Sequence, residues 1–359
     1  MLTYSSIIEL NQYRKDPSLS QSFLKQVLAN DTTQIKQTVP MIIGSLLDAK
    51  LTSPHLVEDL FHRGIVKRPS ETIKGFIDDL YAKELDLQDR EGTQIYNLEE
   101  YKEYLIFAAR QANYQPRWGD DAIWNAISKE GNDYWNELKE AQGKVIITDD
   151  EWQKTEIVTS LTLSSSVTGK YFIDQKNVDI YYQYPMYWKY GSFSLKGLAD
   201  LIVVEHETNT VYLIDIKSTT SKKIEDWFSV ARSKMYPFQM SFYEHGLHSK
   251  LKELNAENYT IRCRWIVIPY NTENFCPWII PCTDMMLQAG KYGYRKLKTF
   301  DITNKIKDFD KGSNARLGWL DAINIYEKSQ EMSLKDYNVK WNLNQGKMSE
   351  NDTEDYFFV

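Results

Sequence analysis

The chain has 359 residues, of which 42% are hydrophobic and 26% are charged, and this composition excludes a wholly disordered, collagen-like or coiled-coil protein. Its 43 basic and 50 acidic residues give a formal net charge of −7, which excludes a strongly basic nucleic-acid coat protein. A nucleic-acid partner would therefore have to bind at a local basic patch.

Cysteine usage and hydropathy favour a cytoplasmic protein. The spacings of Cys263, Cys276 and Cys282 match no common zinc or iron–sulfur pattern, so these residues are predicted to be thiols in a reducing compartment. The first ten residues lack the basic and apolar parts of a signal peptide. No apolar run has the length of a membrane span, so no membrane partner is expected.

The first part of the chain is predicted to be helical. Within residues 1–110, apolar residues recur at helical spacing in three stretches. These stretches are 24–28, 42–47 and 99–110. Residues 111–144 are polar and aromatic, and three glycines there are interpreted as helix breakers: Gly119, Gly131 and Gly143. The signature at Thr148 predicts a further helix to about residue 163.

The periodicity then changes, and runs rich in Ile, Val and Tyr predict strands. The predicted strands are 178–184, 195–204, 211–216, 262–268 and 278–280. The polar residues 207–209 predict a hairpin between the second and third strands. Helices are predicted over 227–247, with Pro237 causing a kink or a division into two, and over 285–297. This order predicts an α/β fold with a central mixed β-sheet flanked by helices and a helical N-terminal region.

Two acidic residues, Asp200 and Asp215, stand within these apolar strands. The hairpin would place them side by side, and Lys217 would face the same side as Asp215 because side chains alternate along a strand. Carboxylates in such a place need a charged partner or a metal, and hard oxygen ligands suit Mg²⁺ or Mn²⁺. This is an arrangement for metal-assisted phosphodiester hydrolysis, although these three residues alone leave a buried structural ion pair open.

Two further residues, Gln239 and Tyr243, stand four apart on a predicted helix and share its face. The order Asp200, Asp215-x-Lys217, Gln239-x-x-x-Tyr243 resembles the PD-(D/E)XK nuclease superfamily in its RecB-type branch. The resemblance implies a restriction-endonuclease-like core in which the two aspartates hold metal and Lys217 activates or orients water. It also implies that Gln239 and Tyr243 position the substrate, and that the main-chain carbonyl of Ile216 is a further metal ligand.

Upstream segments extend the resemblance. Residues 16–24 look like the opening of phage and prophage exonucleases of the exonuclease VIII type, which are related to lambda-type exonucleases. Residues 44–48 resemble the G-x-x-x-H element of the RecB branch, with Asp48 in place of the His as an oxygen ligand. The family's Glu one strand before the first Asp corresponds to Gln183, a neutral and weaker ligand. These departures leave open whether one or two metals bind.

A phosphate pocket is a further expectation. Ser20 and Ser22 stand at a predicted helix start, where free N–H groups and the helix dipole favour anions. In the lambda-type exonucleases a pocket of this kind holds the 5′-phosphate of the digested strand, so the resemblance implies this role for Ser20, Ser22 and Lys25. Plain N-capping is the alternative.

Local basic patches occur despite the net charge. Residues 217–234 hold five basic and two acidic residues, and residues 291–298 hold four basic residues with two interleaved tyrosines. Either patch would grip phosphates or stack bases, or would be a solvated helix face. The acidic and aromatic end, residues 354–359, would dock on a partner or pack on its own domain.

The sequence therefore predicts a Mg²⁺-dependent exodeoxyribonuclease, in a bacterial or phage-infected host cell, that resects one strand of linear double-stranded DNA for recombination. Predicted partners are double-stranded DNA ends, a single-strand annealing or single-strand-binding protein, and further copies in a homo-oligomer. A structure-specific or restriction-type endonuclease and a non-catalytic DNA-binding module are the alternatives. The predicted division is a helical N-terminal part (1–145), a nuclease core with C-terminal helices (146–345) and a tail (346–359).

Overall fold

The structure is a computed structural model that describes residues 7–29, 38–64, 67–273, 275–293 and 317–331. The described helices are α1 (Ile7–Lys15), α2 (Gln21–Ala29), α3 (Val39–Thr52), α4 (Val57–Leu60), α5 (Glu71–Glu91), α6 (Lys102–Gln111), α7 (Asp120–Ala141), α8 (Asp149–Ser164), α9 (Ile224–Ser233), α10 (Tyr236–Glu253), α11 (Asp284–Tyr292) and α12 (Trp319–Glu331). The described strands are β1 (Leu19–Ser20), β2 (Phe61–Gly64), β3 (Val145–Thr148), β4 (Val178–Tyr190), β5 (Phe193–Glu205), β6 (Thr210–Thr219), β7 (Thr260–Pro269) and β8 (Trp278–Pro281).

Six strands form a mixed sheet in the order β1–β5–β6–β7–β8, with β4 also paired to β5. The β4–β5, β5–β6 and β7–β8 pairs are antiparallel, whereas β1–β5 and β6–β7 are parallel. Because β4 follows one edge of β5 along its whole length, β6 and β1 share the other edge. β6 pairs with residues 201–205 and β1 with residues 195 and 196, which leaves a gap in the ladder at residues 197–200.

Helices cover both faces of this sheet. On one face, called here the α10 face, α2, α9, α10 and α12 pack on the sheet through residues such as Leu24, Trp227 and Phe242. On the opposite α3 face, α3 and α8 contribute Leu47 and Val158. The structure confirms the predicted α/β architecture, a mixed central sheet flanked by helices.

The two faces exchange partway along β4 and β5. Tyr182 packs on the α3 face, but Tyr184, two residues later, packs on the α10 face. Opposite them, Leu201 lies on the α3 face and Ala199 on the α10 face. Regular strands keep residues two apart on one side. The left-handed backbone of Gln183 (φ 44°) accounts for the change, because it rotates the chain between the two tyrosines.

A separate cluster of helices precedes the sheet. α5, α6 and α7 pack around their own buried core, and β2 pairs with β3 in a small parallel sheet. The interpretation of Gly131 as a helix breaker is wrong, because α7 runs through it. A Cβ atom there would lie 2.3 Å from Ile77 Cδ1, so glycine allows α5 to approach α7. Gly119 and Gly143 do flank the helix, as predicted.

The predicted strands all lie within observed strands, and the capping box of Thr148 and Glu151 starts α8 as predicted. The predicted helix over 227–247 is two helices, which meet at Met235 in a left-handed conformation (φ 54°), with Pro237 in the first turn of α10. β4 continues six residues beyond the predicted end. It continues through Pro185 because β4 pairs with β5 alone in the described part of the sheet, and proline is tolerated in such an edge strand.

Other expectations concern the tail, the second basic patch, the domain division, the cysteines and membrane-spanning helices. The tail at 346–359 and residues 294–298 of the second basic patch lie outside the described residues. The domain division at residue 145 stays a prediction. All three cysteines are free, and only Cys276 among them is exposed. Within the described ranges, no helix combines the length and apolar character needed to span a membrane.

Lys196 attaches α1 to the sheet from β5. Its side chain is buried, and its ammonium group donates to the main-chain carbonyl oxygens of Tyr13 (2.7 Å), Arg14 (3.3 Å) and Asp16 (2.7 Å). Cations stabilise the C-terminal end of a helix, where carbonyl groups lack helical partners. This contact places Tyr13 close to the sheet, beside the gap in the ladder.

Candidate active site

Asp215 and Lys217 lie on the same side of β6, as the alternation predicted. The Lys217 Nζ atom donates to Asp215 Oδ1 at 2.7 Å, and only 2% of Asp215 is exposed. Ile214 and Ile216 point to the α3 face, where they join its apolar core. The sheet therefore directs the charged pair to the α10 face and the isoleucines away from it.

Asp200 lies where β5 and β6 part. The last paired residues are Leu201 and Ile214, so the next step of the register sets Asp200 opposite Asp215. Asp200 Oδ2 accepts the main-chain N–H of Ile216 at 2.8 Å. The Asp200 carboxylate thus takes the place of a main-chain carbonyl of the neighbouring strand as the partner of this N–H. This bond holds Asp200 beside Asp215 where β5 and β6 part.

Asp48 joins the site from α3. Gln183 Nε2 donates to Asp48 Oδ2 at 2.9 Å and to Thr52 Oγ1 at 3.0 Å. Asp48 and Thr52 stand one helical turn apart, so one amide group bonds both. The role of Gln183 as a weak metal ligand stays a prediction, and in the structure its amide nitrogen donates to the candidate ligand Asp48.

α10 supplies the remaining predicted residues. Gln239 Nε2 donates to Asp215 Oδ1 at 3.0 Å, and Tyr243 is hydrogen-bonded to Gln239. A Cβ atom at Gly197 would lie 2.9 Å from Tyr243 Cδ1, so glycine lets the Tyr243 ring approach β5. Burial, with a smaller contribution from nearby acidic groups, raises the pKa of the Tyr243 phenol well above its ordinary value, so this group stays neutral.

The predicted phosphate-binding residues have partners within the chain. Ser20 Oγ accepts the main-chain N–H of Phe23 at 3.3 Å, which is an N-capping contact for α2. Ser22 Oγ accepts a hydrogen bond from Gln21 at 2.9 Å. Both serines therefore have structural contacts, and their proposed role toward phosphate stays a prediction.

Lys25 is directed toward the site. Its Nζ atom donates to the main-chain carbonyl of Lys234 at 3.0 Å and lies 5.7 Å from the centre of the Phe238 ring. Burial, together with the Lys217 charge, lowers the pKa of Lys25 to about 7, while Asp215 opposes the shift. The Lys217 charge thus acts on Lys25, and Lys25 bonds the Lys234 carbonyl, so the three lysines belong to one region of the structure.

Three acidic residues and one lysine of the site, Asp48, Asp200, Asp215 and Lys217, lie close enough to affect one another's pKa. Burial raises the pKa of Asp48 to about 7, and Asp215 adds to this shift while Lys217 and Gln183 oppose it. Burial also raises the pKa of Asp200, with Asp48 and Asp215 adding to it. Burial alone would lower the pKa of Lys217, but Asp215 and Asp200 outweigh burial and raise it. The carboxylates therefore repel one another, and a bound cation would relieve that repulsion.

A divalent metal fits these donors. Asp48 Oδ1 and Asp215 Oδ2 are buried oxygen atoms without a hydrogen-bond partner, which is uncommon for carboxylates. No group of three His, Cys, Asp or Glu stands ready to hold a metal among the described residues. Mg²⁺ is often held by one or two carboxylates, with waters and substrate phosphate completing its shell. Asp48 and Asp215 meet that requirement.

Comparisons with known proteins do not name a family. No model of a protein family matches the sequence, and no curated protein matches it. Two chains of known structure match, one of which is a presumed exonuclease from Eubacterium rectale. That match has 14% sequence identity and a TM-score of 0.29, and it covers 56% of this chain and 65% of the other. A likeness of this size carries no argument about activity.

Sequence reasoning missed two residues of the site. Thr52 shares the Gln183 amide with Asp48, and its position four residues after Asp48 on a helix is a signal that would have found it. The Tyr236 ring lies 5.0 Å from Lys217 Nζ, at the start of α10. Its place depends on the left-handed turn at Met235, for which the sequence has no glycine or asparagine as a signal.

Proposed function

We propose that the chain is a Mg²⁺- or Mn²⁺-dependent exodeoxyribonuclease of the RecB-type PD-(D/E)XK branch, which resects one strand of linear double-stranded DNA. The observation that supports this best is the meeting of Asp200, Asp215 and Lys217 where β5 and β6 part. Asp48 from α3 and Gln239 from α10 complete the group. Buried carboxylates of this kind are what metal-assisted hydrolysis of a phosphodiester needs.

Asp48 and Asp215 would hold the metal, with Asp200 and the Ile216 carbonyl as further ligands. The bound metal would polarise the phosphoryl oxygen and lower the pKa of a bound water. Lys217 orients the attacking water and stabilises the negative charge that develops on the phosphoryl oxygens. Gln239 fixes one oxygen of Asp215 by its hydrogen bond.

The proposed reaction balances as a hydrolysis. The water oxygen bonds to phosphorus while the P–O3′ bond breaks. The departing 3′ oxygen takes up a proton, so the products carry a 3′-hydroxyl and a 5′-phosphate. Tyr243, which stays neutral, positions the substrate and takes no part as a base.

The experiment compares wild type with Asp200→Ala and Lys217→Ala on a linear duplex that carries a 5′-phosphate, with Mg²⁺. Each substitution is expected to lower the cleavage rate by about 100-fold or more, the usual effect of removing a group that stabilises transition-state charge. Lys189→Ala is the matched control, because Lys189 is an exposed lysine at the β4–β5 turn. Activity that survives both site substitutions would contradict the assignment.

Two alternative functions, an endonuclease and a non-catalytic DNA-binding module, can be distinguished by experiment. An endonuclease would cleave covalently closed circles, which an exonuclease leaves intact. A non-catalytic DNA-binding module is favoured by one observation, the lack of a ready three-ligand metal group in the described part of the chain. Calorimetry with Mn²⁺ tests the second alternative, because absence of metal binding would support the non-catalytic module.

We further propose that Ser20, Ser22 and Lys25 receive the 5′-phosphate of the digested strand. Lys25 is the residue that supports this, since its ammonium lies near Lys217 and has only a carbonyl and a ring as described partners. A homo-oligomer and a single-strand annealing or single-strand-binding partner belong to the same proposal. Sedimentation velocity with and without DNA tests the first, and co-sedimentation tests the second.

A further inference from the structure

Two buried cysteines face each other where β8 ends. In the β7–β8 ladder, Arg264 is paired with Pro281. The next step of this antiparallel register sets Cys263 opposite Cys282. The main-chain N–H of Cys282 donates to the Cys263 carbonyl oxygen at 2.9 Å, so the pairing continues to this step. Directly opposed residues of an antiparallel pair share a face, and both cysteines lie in the core of the α10 face.

The spacing typical of such a pair suits a disulfide bond. Opposed residues that share a main-chain hydrogen bond have Cα atoms about 5.5 Å apart, and disulfides span Cα distances of about 4.4–6.8 Å. The Cβ atoms of opposed residues are usually about 4.5–5.5 Å apart, whereas a disulfide draws them to about 3.8 Å. Closing the bond therefore requires a small movement and leaves strain, and strained disulfides are readily reduced.

Cys282 stands where the chain can make this movement. β8 ends at Pro281 and is an edge strand of the sheet within the described residues. α11 begins at Asp284, two residues after Cys282. Cys282 therefore follows a short edge strand and precedes a helix, so it can move toward β7 without breaking the β6–β7 ladder.

Burial keeps both sulfur atoms in the thiol form at rest. Cys263 is 5% exposed and Cys282 is 8% exposed. Burial raises the pKa of both thiols well above the ordinary value, and the acidic Glu244 adds to the shift of each. The thiolate is the reactive form, so exchange needs a transient opening of the edge strand and is expected to be slower than at the exposed Cys276.

The cysteine pair lies beside elements that carry the candidate site. Glu244, whose charge acts on both thiols, belongs to α10. α11, which starts just after Cys282, meets α10 at Gly290. A Cβ atom at Gly290 would lie 2.0 Å from the Pro237 carbonyl oxygen, so the two helices touch through main-chain atoms. A movement of Cys282 would therefore displace the helix that carries Gln239.

We propose that Cys263 and Cys282 are a redox modification site, which a low-molecular-weight disulfide converts to a reversible internal disulfide that slows the nuclease. The effect on cleavage rests on the proposed function, whereas formation of the bond does not. The site is distinct from the metal-binding carboxylates, because both thiols lie at the β7–β8 edge of the sheet.

The exchange proceeds in two balanced steps. The Cys282 thiol loses its proton, and its sulfur attacks one sulfur of the small disulfide, whose S–S bond breaks and releases one small thiolate. The Cys263 thiol then loses its proton, and its sulfur attacks the Cys282 sulfur and displaces the second small thiolate. Both protons end on the released thiols. Two protein thiols are thereby oxidised, and one small disulfide is reduced.

The first test counts thiols after the folded full chain is incubated with oxidised glutathione, by alkylation in denaturant and intact mass. Cys276→Ser is the background, because the exposed Cys276 would form a mixed disulfide. This protein is expected to lose both remaining thiols without retaining glutathione, and to regain them with dithiothreitol. Adding Cys263→Ala or Cys282→Ala leaves one thiol, which cannot close the bond. Two free thiols in the treated protein, or a bond between two chains, would overturn the proposal.

The second test measures cleavage of a linear duplex by the Cys276→Ser protein when reduced, oxidised and reduced again. Oxidation is expected to lower the rate at least about tenfold, because a small displacement of a group that positions the reaction is costly. Reduction is expected to restore the rate. Adding Cys263→Ala controls for direct effects of glutathione and is expected to make the rate insensitive to oxidation.

The outcomes separate the redox site from the proposed function. An unchanged rate in the oxidised protein would overturn the control of cleavage by this bond. If the reduced protein cuts no DNA, the proposed function fails, and the thiol count still decides whether the disulfide forms. The comparison of reduced and oxidised forms uses one protein with both core cysteines in place, so it does not depend on how well the alanine variants fold.

Discussion

The Asp48 carboxyl has a pKa of about 7 because burial, together with the nearby Asp215 charge, disfavours its ionised form. The folded protein therefore holds a proton on Asp48 more tightly than the unfolded chain does. The contribution of Asp48 to folding stability is therefore most favourable below about pH 4 and falls as pH rises from about 4 to about 7. The charge that would bind a cation at Asp48 therefore destabilises the protein when no metal is bound.

Asp48→Asn is expected to remove this penalty. Without metal, the variant should match wild type near pH 4 and exceed its free energy of unfolding above pH 7, by on the order of 1–3 kcal/mol since Asp48 is only partly buried. Urea unfolding in a chelator measures the difference. With saturating Mn²⁺ the order should reverse, because wild type gains binding energy. An identical pH profile for both proteins would refute the expectation.

Lys25 shows the opposite linkage. Its folded pKa of about 7 lies below the ordinary value because of burial, so wild type pays a cost at neutral pH that shrinks as pH rises toward 10. Lys25→Met is expected to be more stable than wild type at pH 7, by roughly 1–3 kcal/mol, and to lose this advantage near pH 10. Guanidinium unfolding at both pH values measures it, with Lys189→Met as control.

Lys25→Met is also expected to impair recognition of a 5′-phosphorylated DNA end. If Lys25 binds the 5′-phosphate, Lys25→Met loses any preference for 5′-phosphorylated over 5′-hydroxyl ends. The ratio of the two cleavage rates measures this preference. A ratio that stays at the wild-type value, with the stability gain present, would assign Lys25 a role other than phosphate binding.

Part of the site follows from local periodicity. Alternation in β6 is sufficient to place Asp215 beside Lys217, and helical spacing places Gln239 and Tyr243 together. The contact between Gln183 and Asp48 could not be predicted in this way. It requires a left-handed residue within β4 and the arrival of α3 from far upstream, and neither has a local signal.

At the scale of elements, α11 approaches the main chain of α10 closely. A Cβ atom at Gly290 would lie 2.0 Å from the Pro237 carbonyl oxygen, which is a main-chain atom two residues before Gln239. At Gly131 in α7 the corresponding contact is with the far end of the Ile77 side chain. A side-chain end can rotate away, whereas a main-chain atom moves only with its helix.

Gly290→Ala is therefore expected to destabilise the protein by roughly 1–3 kcal/mol or more and to slow cleavage, because α10 or α11 must shift. Gly131→Ala should cost less than about 1 kcal/mol, since alanine's helix propensity offsets part of the strain. Urea unfolding and the cleavage assay measure both variants. Equal effects of the two substitutions would show that α10 and α11 separate at little cost.

The presence of the strands was predicted more reliably from the sequence than the first and last residues of the strands and helices. The strands and the capped start of α8 follow from composition and spacing. The course of α7 through Gly131 does not, because the glycine faces Ile77 of another helix, a contact that the local sequence does not show. The extension of β4 through Pro185 likewise depends on the position of β4 at the sheet's edge, which the sequence of the strand does not state.

For the whole molecule, the net charge of −7 means that DNA, if it is the substrate as proposed, would have to bind at a local basic patch. Lys25, Lys217 and Lys234 come from three elements and lie near one another on the α10 face. Affinity for a phosphorothioate duplex, which resists cleavage, should depend on divalent metal and fall with salt, with log Kd changing by about 0.9 per phosphate contact for each unit of log salt. Fluorescence anisotropy across a salt series measures this slope.

Lys234→Ala is expected to reduce that slope by about one contact, and Lys189→Ala should leave it unchanged. A slope near zero in wild type would mean that phosphate contacts do not drive binding. A slope that both variants reduce equally would place the DNA elsewhere on the surface.

The pairing of β1 with β5 has a consequence in time. Leu19 of β1 cannot pair with Leu195 until residue 195 has been synthesised. In the same way, Asp48 cannot meet Asp215 or the helix that carries Gln239 until those later segments exist. A ribosome makes these segments in order, from the N-terminus onward. A partly synthesised chain therefore carries Asp48 and Lys25 without their partners. Asp48, Asp215 and Gln239 therefore come together only after α10 has been synthesised, so the proposed nuclease would gain its complete site late in translation.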